Sequence, residues 1–145
     1  MLAGDTSGAG SLSVSTANTV TLIGNAAHTG GTTVTGTGSL QIGNGGTTGT
    51  IAGDIVNNAN VRFNRSDNST YAGSITGSGN FLKAGTGLLN LTGNSSWAGT
   101  TGISVGEVRI ANANTVAGGQ ATFSQGGSLT VAGAGSTFQT TGITA

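Results

Sequence analysis

Short triplets, in which two apolar residues flank a small or polar one, recur along this chain at intervals close to 20 residues. They are Leu12-Ser-Val14, Val20-Thr-Leu22, Leu40-Gln-Ile42, Val61-Arg-Phe63, Leu89-Asn-Leu91, Val108-Arg-Ile110 and Leu129-Thr-Val131. Alternation with period two places both apolar side chains on one face of a strand and turns the middle residue to water. The steps are 20 and 21 between Val20, Leu40 and Val61, and 19 and 21 between Leu89, Val108 and Leu129. A regular interval of that size is what a solenoid requires, because each coil must repeat the one beneath it. No stretch sustains a helical period over three turns, and 29 glycines oppose helix throughout. The expected fold is all-β: a parallel β-helix (β-solenoid) of six to seven coils.

A longer repeat overlies the short one. Leu12, Val20, Leu40 and Val61 recur as Phe81, Leu89, Val108 and Leu129, at offsets of 69, 69, 68 and 68. Leu22 to Val34 (LIGNAAHTGGTTV) then aligns with Leu91 to Ile103 (LTGNSSWAGTTGI), which sets His28 opposite Trp97. A shorter copy, Asn68 to Gly73, brings Tyr71 to the same position. These repeats suggest one segment over 1–145, with halves at approximately 12–80 and 81–145. Stacking must cover each coil's apolar stripe, so Val20, Leu40, Val61, Leu89, Val108 and Leu129 are expected to climb one interior column. Thr and Val suit flat parallel sheets, Gly and Asn suit sharp corners, and the absence of Pro leaves every strand N–H free to pair.

Composition closes several other routes. Four cations (Arg62, Arg65, Lys83, Arg109) balance four acids (Asp5, Asp54, Asp67, Glu107), too few and too scattered to neutralise a run of phosphates. Nucleic acid is therefore not an expected partner. With no Cys there is no disulfide framework and no thiolate chemistry, and a single histidine excludes a multi-His metal site. No apolar run approaches the roughly 20 residues of a membrane-spanning helix, so this segment is not expected to insert in a membrane. The start, Met1-Leu2-Ala3-Gly4-Asp5, lacks the basic and apolar regions of a signal peptide. A chain with charge nearly absent, no Pro and slightly positive mean hydropathy also differs from a disordered one.

Asn80 to Ile110 reads NFLKAGTGLLNLTGNSSWAGTTGISVGEVRI. It resembles the autotransporter-associated β-strand repeat of Gram-negative type V secretion passengers. Phe81, Lys83, Gly85, Gly87, Leu89, Leu91, Gly93, Trp97, Gly99, Thr101, Ile103, Gly106, Val108 and Ile110 occupy the motif positions. Val20 to Gly43 is similar to the second half of the motif, and the resemblance covers roughly residues 12 to 131. It departs at His28, which replaces an aromatic, at Gly102, which replaces a Thr, and over the last fourteen residues. The resemblance implies a right-handed, single-stranded β-helix displayed outside the cell. It also implies that the chain is a stem segment cut from a longer protein with a signal peptide and an outer-membrane barrel.

Parallel β-helices also include polysaccharide-cleaving enzymes, which need two carboxyl groups about 5 to 10 Å apart. On a solenoid such a pair lies at i and i+2, or about 20 residues apart in register. Asp54 and Asp67 are 13 apart, and Asp67 and Glu107 are 40 apart, so neither pair fits. His28 falls at the stacking position of Trp97 and Tyr71, a structural place rather than that of a catalytic base. Gly36-Thr-Gly38 and Gly85-Thr-Gly87 lack the lysine and following helix of a phosphate cradle. No Asp follows a glycine run as calcium-binding rolls require. Pairs such as Thr19/Thr21, Thr33/Thr35 and Thr48/Thr50 resemble an ice-binding pattern, but their spacings of 14 and 15 do not keep step with the coils.

No enzyme activity, cofactor or metal is expected. The leading expectation is a structural display segment on the cell surface. The alternative is a binding module, in which Arg65, Tyr71 and Trp97 contact a host or bacterial surface glycan or protein. Against it stand packing of Tyr71 and Trp97 at coil corners and a salt-bridged loop in which Arg62 and Arg65, themselves candidates for an acidic partner or glycan, flank Phe63 with Asp67 close by. End-to-end self-association through unpaired strand edges is a further expectation.

Overall fold

The computed structural model describes residues 1–111 and 114–145. All regular structure among them is β, in 21 short strands that pair in parallel. Every third strand falls on the same face, so the chain winds seven coils with three flat faces and three corners. The first face carries β1 (Thr6–Gly8), β4 (Asn25–His28), β7 (Thr50–Ile51), β10 (Ser69–Tyr71), β13 (Leu88–Leu91), β16 (Glu107–Ile110) and β19 (Ser128–Val131). The second carries β2 (Leu12–Ser15), β5 (Thr32–Thr35), β8 (Ile55–Asn57), β11 (Ile75–Gly77), β14 (Ser95–Trp97), β17 (Thr115–Ala117) and β20 (Thr137–Gln139). The third carries β3 (Thr19–Leu22), β6 (Ser39–Ile42), β9 (Asn60–Asn64), β12 (Asn80–Ala84), β15 (Thr101–Ile103), β18 (Ala121–Phe123) and β21 (Ile143–Thr144).

The second and third faces are unbroken seven-stranded sheets. The first face is not. It consists of a three-stranded sheet, β1-β4-β7, and a four-stranded sheet, β10-β13-β16-β19. The break lies directly above a lengthened coil. Val20 pairs with Leu40, 20 residues on, but Asn25 pairs with Thr50, 25 residues on. The additional residues form the glycine-rich turn Gly43-Asn-Gly-Gly-Thr-Thr-Gly49. Above it the step returns to 20, with Ser69 pairing with Leu89.

The expected single interior column resolves into two. Val20, Leu40 and Val61 pair in register on the third face and continue through Phe81, Thr101 and Ala121. Leu89, Val108 and Leu129 form another column on the first face, seated on Ser69. The step of 28 from Val61 to Leu89 spans one coil and one additional strand, and this is why the two series look continuous in sequence. Leu40, Val61, Leu89 and Val108 are buried, whereas Val20 and Leu129, near the two ends of the stack, are only half covered.

The 69-residue repeat is displaced in the same way. Its first copy runs from β3 on the third face through β4 to β5, and its second from β13 on the first face through β14 to β15. One copy is therefore turned by a third of a coil relative to the other. The three corners are equivalent enough for one sequence pattern to serve at two of them.

Glycine is imposed at the corners by the closeness of successive coils. Gly53, Gly73 and Gly93 form one file, in which a Cβ on Gly73 would run into the Gly53 carbonyl oxygen and one on Gly93 into that of Gly73. Gly79, Gly99 and Gly119 form a second such file.

Candidate functional site

Asx side chains at the corners repeat one device. The Oδ1 of a residue on one coil accepts the backbone N–H of the residue 20 further on. Asp5 accepts from Asn25 at 2.6 Å, Asp54 from Ser74 at 2.7 Å, Asn58 from Ser78 at 3.2 Å and Asn80 from Thr100 at 2.9 Å. These bonds fasten coil to coil where the strand ladders pause. Two of the four acids are thereby accounted for. The other two pair with arginines: Asp67 with Arg65 at 2.7 Å, and Glu107 with Arg109 at 3.8 Å on the outer side of β16. Among the described residues, no three His, Asp or Glu side chains gather as a metal site would require.

The interior is lined by an aromatic ladder that crosses all three faces. Tyr71 meets Phe63 at 5.6 Å between ring centroids, Phe63 meets Phe81 at 5.9 Å, and Phe81 stacks on Trp97 at 4.9 Å. Such contacts add about 0.5–1.5 kcal/mol each beyond the area they bury. The polar tips close the corners. Trp97 Nε1 donates to Thr101 Oγ1 at 2.9 Å, and His28 Nε2 stands 2.9 Å from Thr32 Oγ1. Each ring thus reaches the threonine four residues on, as the alignment of His28 with Trp97 implies. The Tyr71 hydroxyl donates to the carbonyl oxygen of Gly53 at 2.7 Å, and burial pushes its ionisation well above the ordinary tyrosine range.

Lys83 occupies the inward file between Phe63 and Ile103 and is almost fully buried. Among the described residues no carboxylate forms an ion pair with its ammonium group. Its Nζ donates to the carbonyl oxygens of Gly85 at 2.6 Å and Ala84 at 3.2 Å, and desolvation holds its pKa below the ordinary lysine value. One coil below, at the same corner, Arg65 does similar work. Its Nη1 donates to the Gly49 carbonyl oxygen and its Nη2 to that of Thr47, both at 2.6 Å, while Nε and Nη2 hold the Asp67 carboxylate.

The residues singled out for ligand contact therefore lie inside the wall. Tyr71 is 2% exposed, Trp97 3% and Arg65 9%. The ladder brings Tyr71 and Trp97 into one interior series and leaves neither ring on the outer side for a ligand to stack on. Arg65 and Tyr71 instead bracket the break in the first face, where β7 and β10 form no ladder. Arg65 spans it at one corner, Tyr71 spans it at the other, and between them lies a small cavity of about 30 Å³ lined by Ile51, Phe63, Ser69 and Leu89. That is room for about one water. Sequence reasoning did not find this seam, although the five-residue excess between Asn25 and Thr50 signals it.

The fold and the tied-down side chains define a parallel β-solenoid whose four acids are each engaged by a backbone N–H or an arginine. A stretch of 56 residues, 39% of this chain, is 57% identical to part of "Adhesin BmaC autotransporter" from Brucella suis biovar 1 (strain 1330). The chain is thus a partial homologue of an autotransporter adhesin, and its fold is the one the resemblance to autotransporter passengers implies. It spans about 2% of the length of that relative. No protein-family profile matches the chain. No solved structure matches it significantly.

Proposed function

We propose that this chain is a segment of a cell-surface autotransporter passenger and serves there as a non-catalytic stem. The observation that carries the reading is the continuity of the stack. Two faces run unbroken through seven coils, and all four acids are engaged in holding the coils or pairing with arginines. With strands about 4.8 Å apart, seven coils advance roughly 30–35 Å along the axis. The likeness to an adhesin autotransporter supports surface display, and the engagement of each acid by a backbone N–H or an arginine supports a role without cleavage chemistry.

The test is deletion of the segment from the passenger that contains it. Atomic force microscopy should show the displayed molecule shortened by roughly 30–35 Å, the advance of seven strand spacings, with the parts beyond it still presented. The purified chain should leave a broad polysaccharide panel uncut. Cleavage of any member, abolished by Asp54→Asn or Asp67→Asn, would overturn the reading.

A further inference from the structure

Three of the four cations have partners: Lys83 its carbonyls, Arg65 its carbonyls and Asp67, Arg109 its Glu107. Arg62 differs. Its Nε is sealed from solvent without a hydrogen-bond partner, and no ion pair among the described residues reaches it.

Arg62 is on the outer side of the third face, in register between Gln41 below and Leu82 above, with Gly102 and Thr122 continuing the file. Gly102 leaves a notch in the wall. A Cβ there would come within 2.9 Å of Leu82 Cδ1, so the leucine leans across the vacant position. Along one flank runs a preordered polar shelf. Asn80 Nδ2 donates to Asn60 Oδ1 at 3.0 Å, and the Thr100 hydroxyl donates to Asn80 Oδ1 at 3.1 Å. Together these residues line a groove of about 400 Å³ running across the coils. That volume is within the usual range of small-ligand sites.

We propose that this groove binds an oligosaccharide bearing a carboxylate or sulfate group. The acidic group accepts hydrogen bonds from the two Nη groups of Arg62, the part of its planar fork that is not sealed in the wall. The apolar face of a sugar ring rests on Leu82 over the Gly102 notch, and ring hydroxyls meet Thr100 and Thr122. One cation beside an uncharged amide and hydroxyl shelf suits a sparsely charged, hydroxyl-rich chain and not a polyphosphate. The inference deepens the surface-passenger reading and rests on it.

The experiment is an NMR titration of the full chain with three oligosaccharides of equal length: an oligogalacturonate, a heparin-derived sulfated oligomer and a neutral glucan. Saturable shifts at residues 60–62, 80–82 and 100–102 are expected with one or both acidic oligomers, and the two arms tell carboxylate from sulfate. Arg62→Gln should weaken that binding at least about tenfold, Gly102→Val should block the notch, and Arg109→Gln should leave affinity unchanged. Absence of saturable binding, equal binding of the neutral glucan, or an unaffected Arg62→Gln would overturn the proposal. Because stem length is read separately by deletion, a failure here leaves that measurement intact and identifies the groove alone as misassigned.

Discussion

Trp97 and Thr101 are joined around a corner of the solenoid by a buried 2.9 Å hydrogen bond, from the end of one face to the start of the next. His28 and Thr32 repeat the relationship three coils lower, at a different corner. Thr101→Val keeps the shape of the side chain but leaves the indole N–H buried and unpaired. A loss of about 1–3 kcal/mol is expected in urea unfolding, with Thr101→Ser retaining most of the stability.

Arg65 holds the carbonyl oxygens of Thr47 and Gly49 to the coil above. Arg65→Met should cost about 2–3 kcal/mol, the scale of hydrogen bonds to a charged group. Amide hydrogen exchange should accelerate first at residues 47–51 and 69–71. A uniform change along the chain would show that the seam is not a distinct weak level.

Asp67 is held below the ordinary carboxylate range, chiefly by its hydrogen bonds from Arg65. A depressed carboxyl contributes stability above its unfolded pKa and loses it as pH falls through the folded value. The wild-type chain should therefore weaken below about pH 4, and Asp67→Asn should flatten that part of the profile. The effect should be small, because Asp67 is about one-third exposed.

At alkaline pH, Lys83 and Tyr71 act in opposite senses. Burial lowers the Lys83 pKa, so between its folded and ordinary values the unfolded chain binds the additional proton and stability rises with pH. Burial raises that of Tyr71, so above about pH 10 the unfolded chain loses a proton the folded one retains, and stability falls. Denaturant midpoints from pH 8 to 11 should pass through a maximum. Lys83→Met should remove the rise and Tyr71→Phe the fall.

Gly93 has no room for a side chain above the Gly73 carbonyl. Gly93→Ala should destabilise by about 1–3 kcal/mol through forced separation of two coils. Gly142, which has nothing within 4 Å of its would-be Cβ, should accept alanine without loss, a contrast that thermal melts can read.

The coil interval is legible in sequence because the third face keeps nearly strict time from Val20 to Ala121. Which face a triplet belongs to is not legible, because Leu89-Asn-Leu91 has the same alternation as Val61-Arg-Phe63. The true column above Phe81 passes through Thr101 and the short Ala121, which carry no apolar signature, while Leu89 does. The shared position of His28 and Trp97 shows in the alignment, since both precede a threonine by four residues. The partners of Arg65 and Lys83 do not show, because they are backbone oxygens brought near by stacking. Nothing in a sequence marks a carbonyl as left over. Arg62 and Arg65 look alike on either side of Phe63, and only the outward or inward turn of the strand separates them.

The broken first face gives this rod a mechanical grain. A pull along its axis is shared by three ladders at most levels. Between β7 and β10 one of those ladders is missing, and the first face is tied there by the Arg65 guanidinium, the Tyr71 hydroxyl and a backbone bond from Ser66 to Gly46, while the other two faces continue. The consequence is a level held by two ladders where its neighbours are held by three, so a load on the rod meets its least resistance between its third and fourth coils.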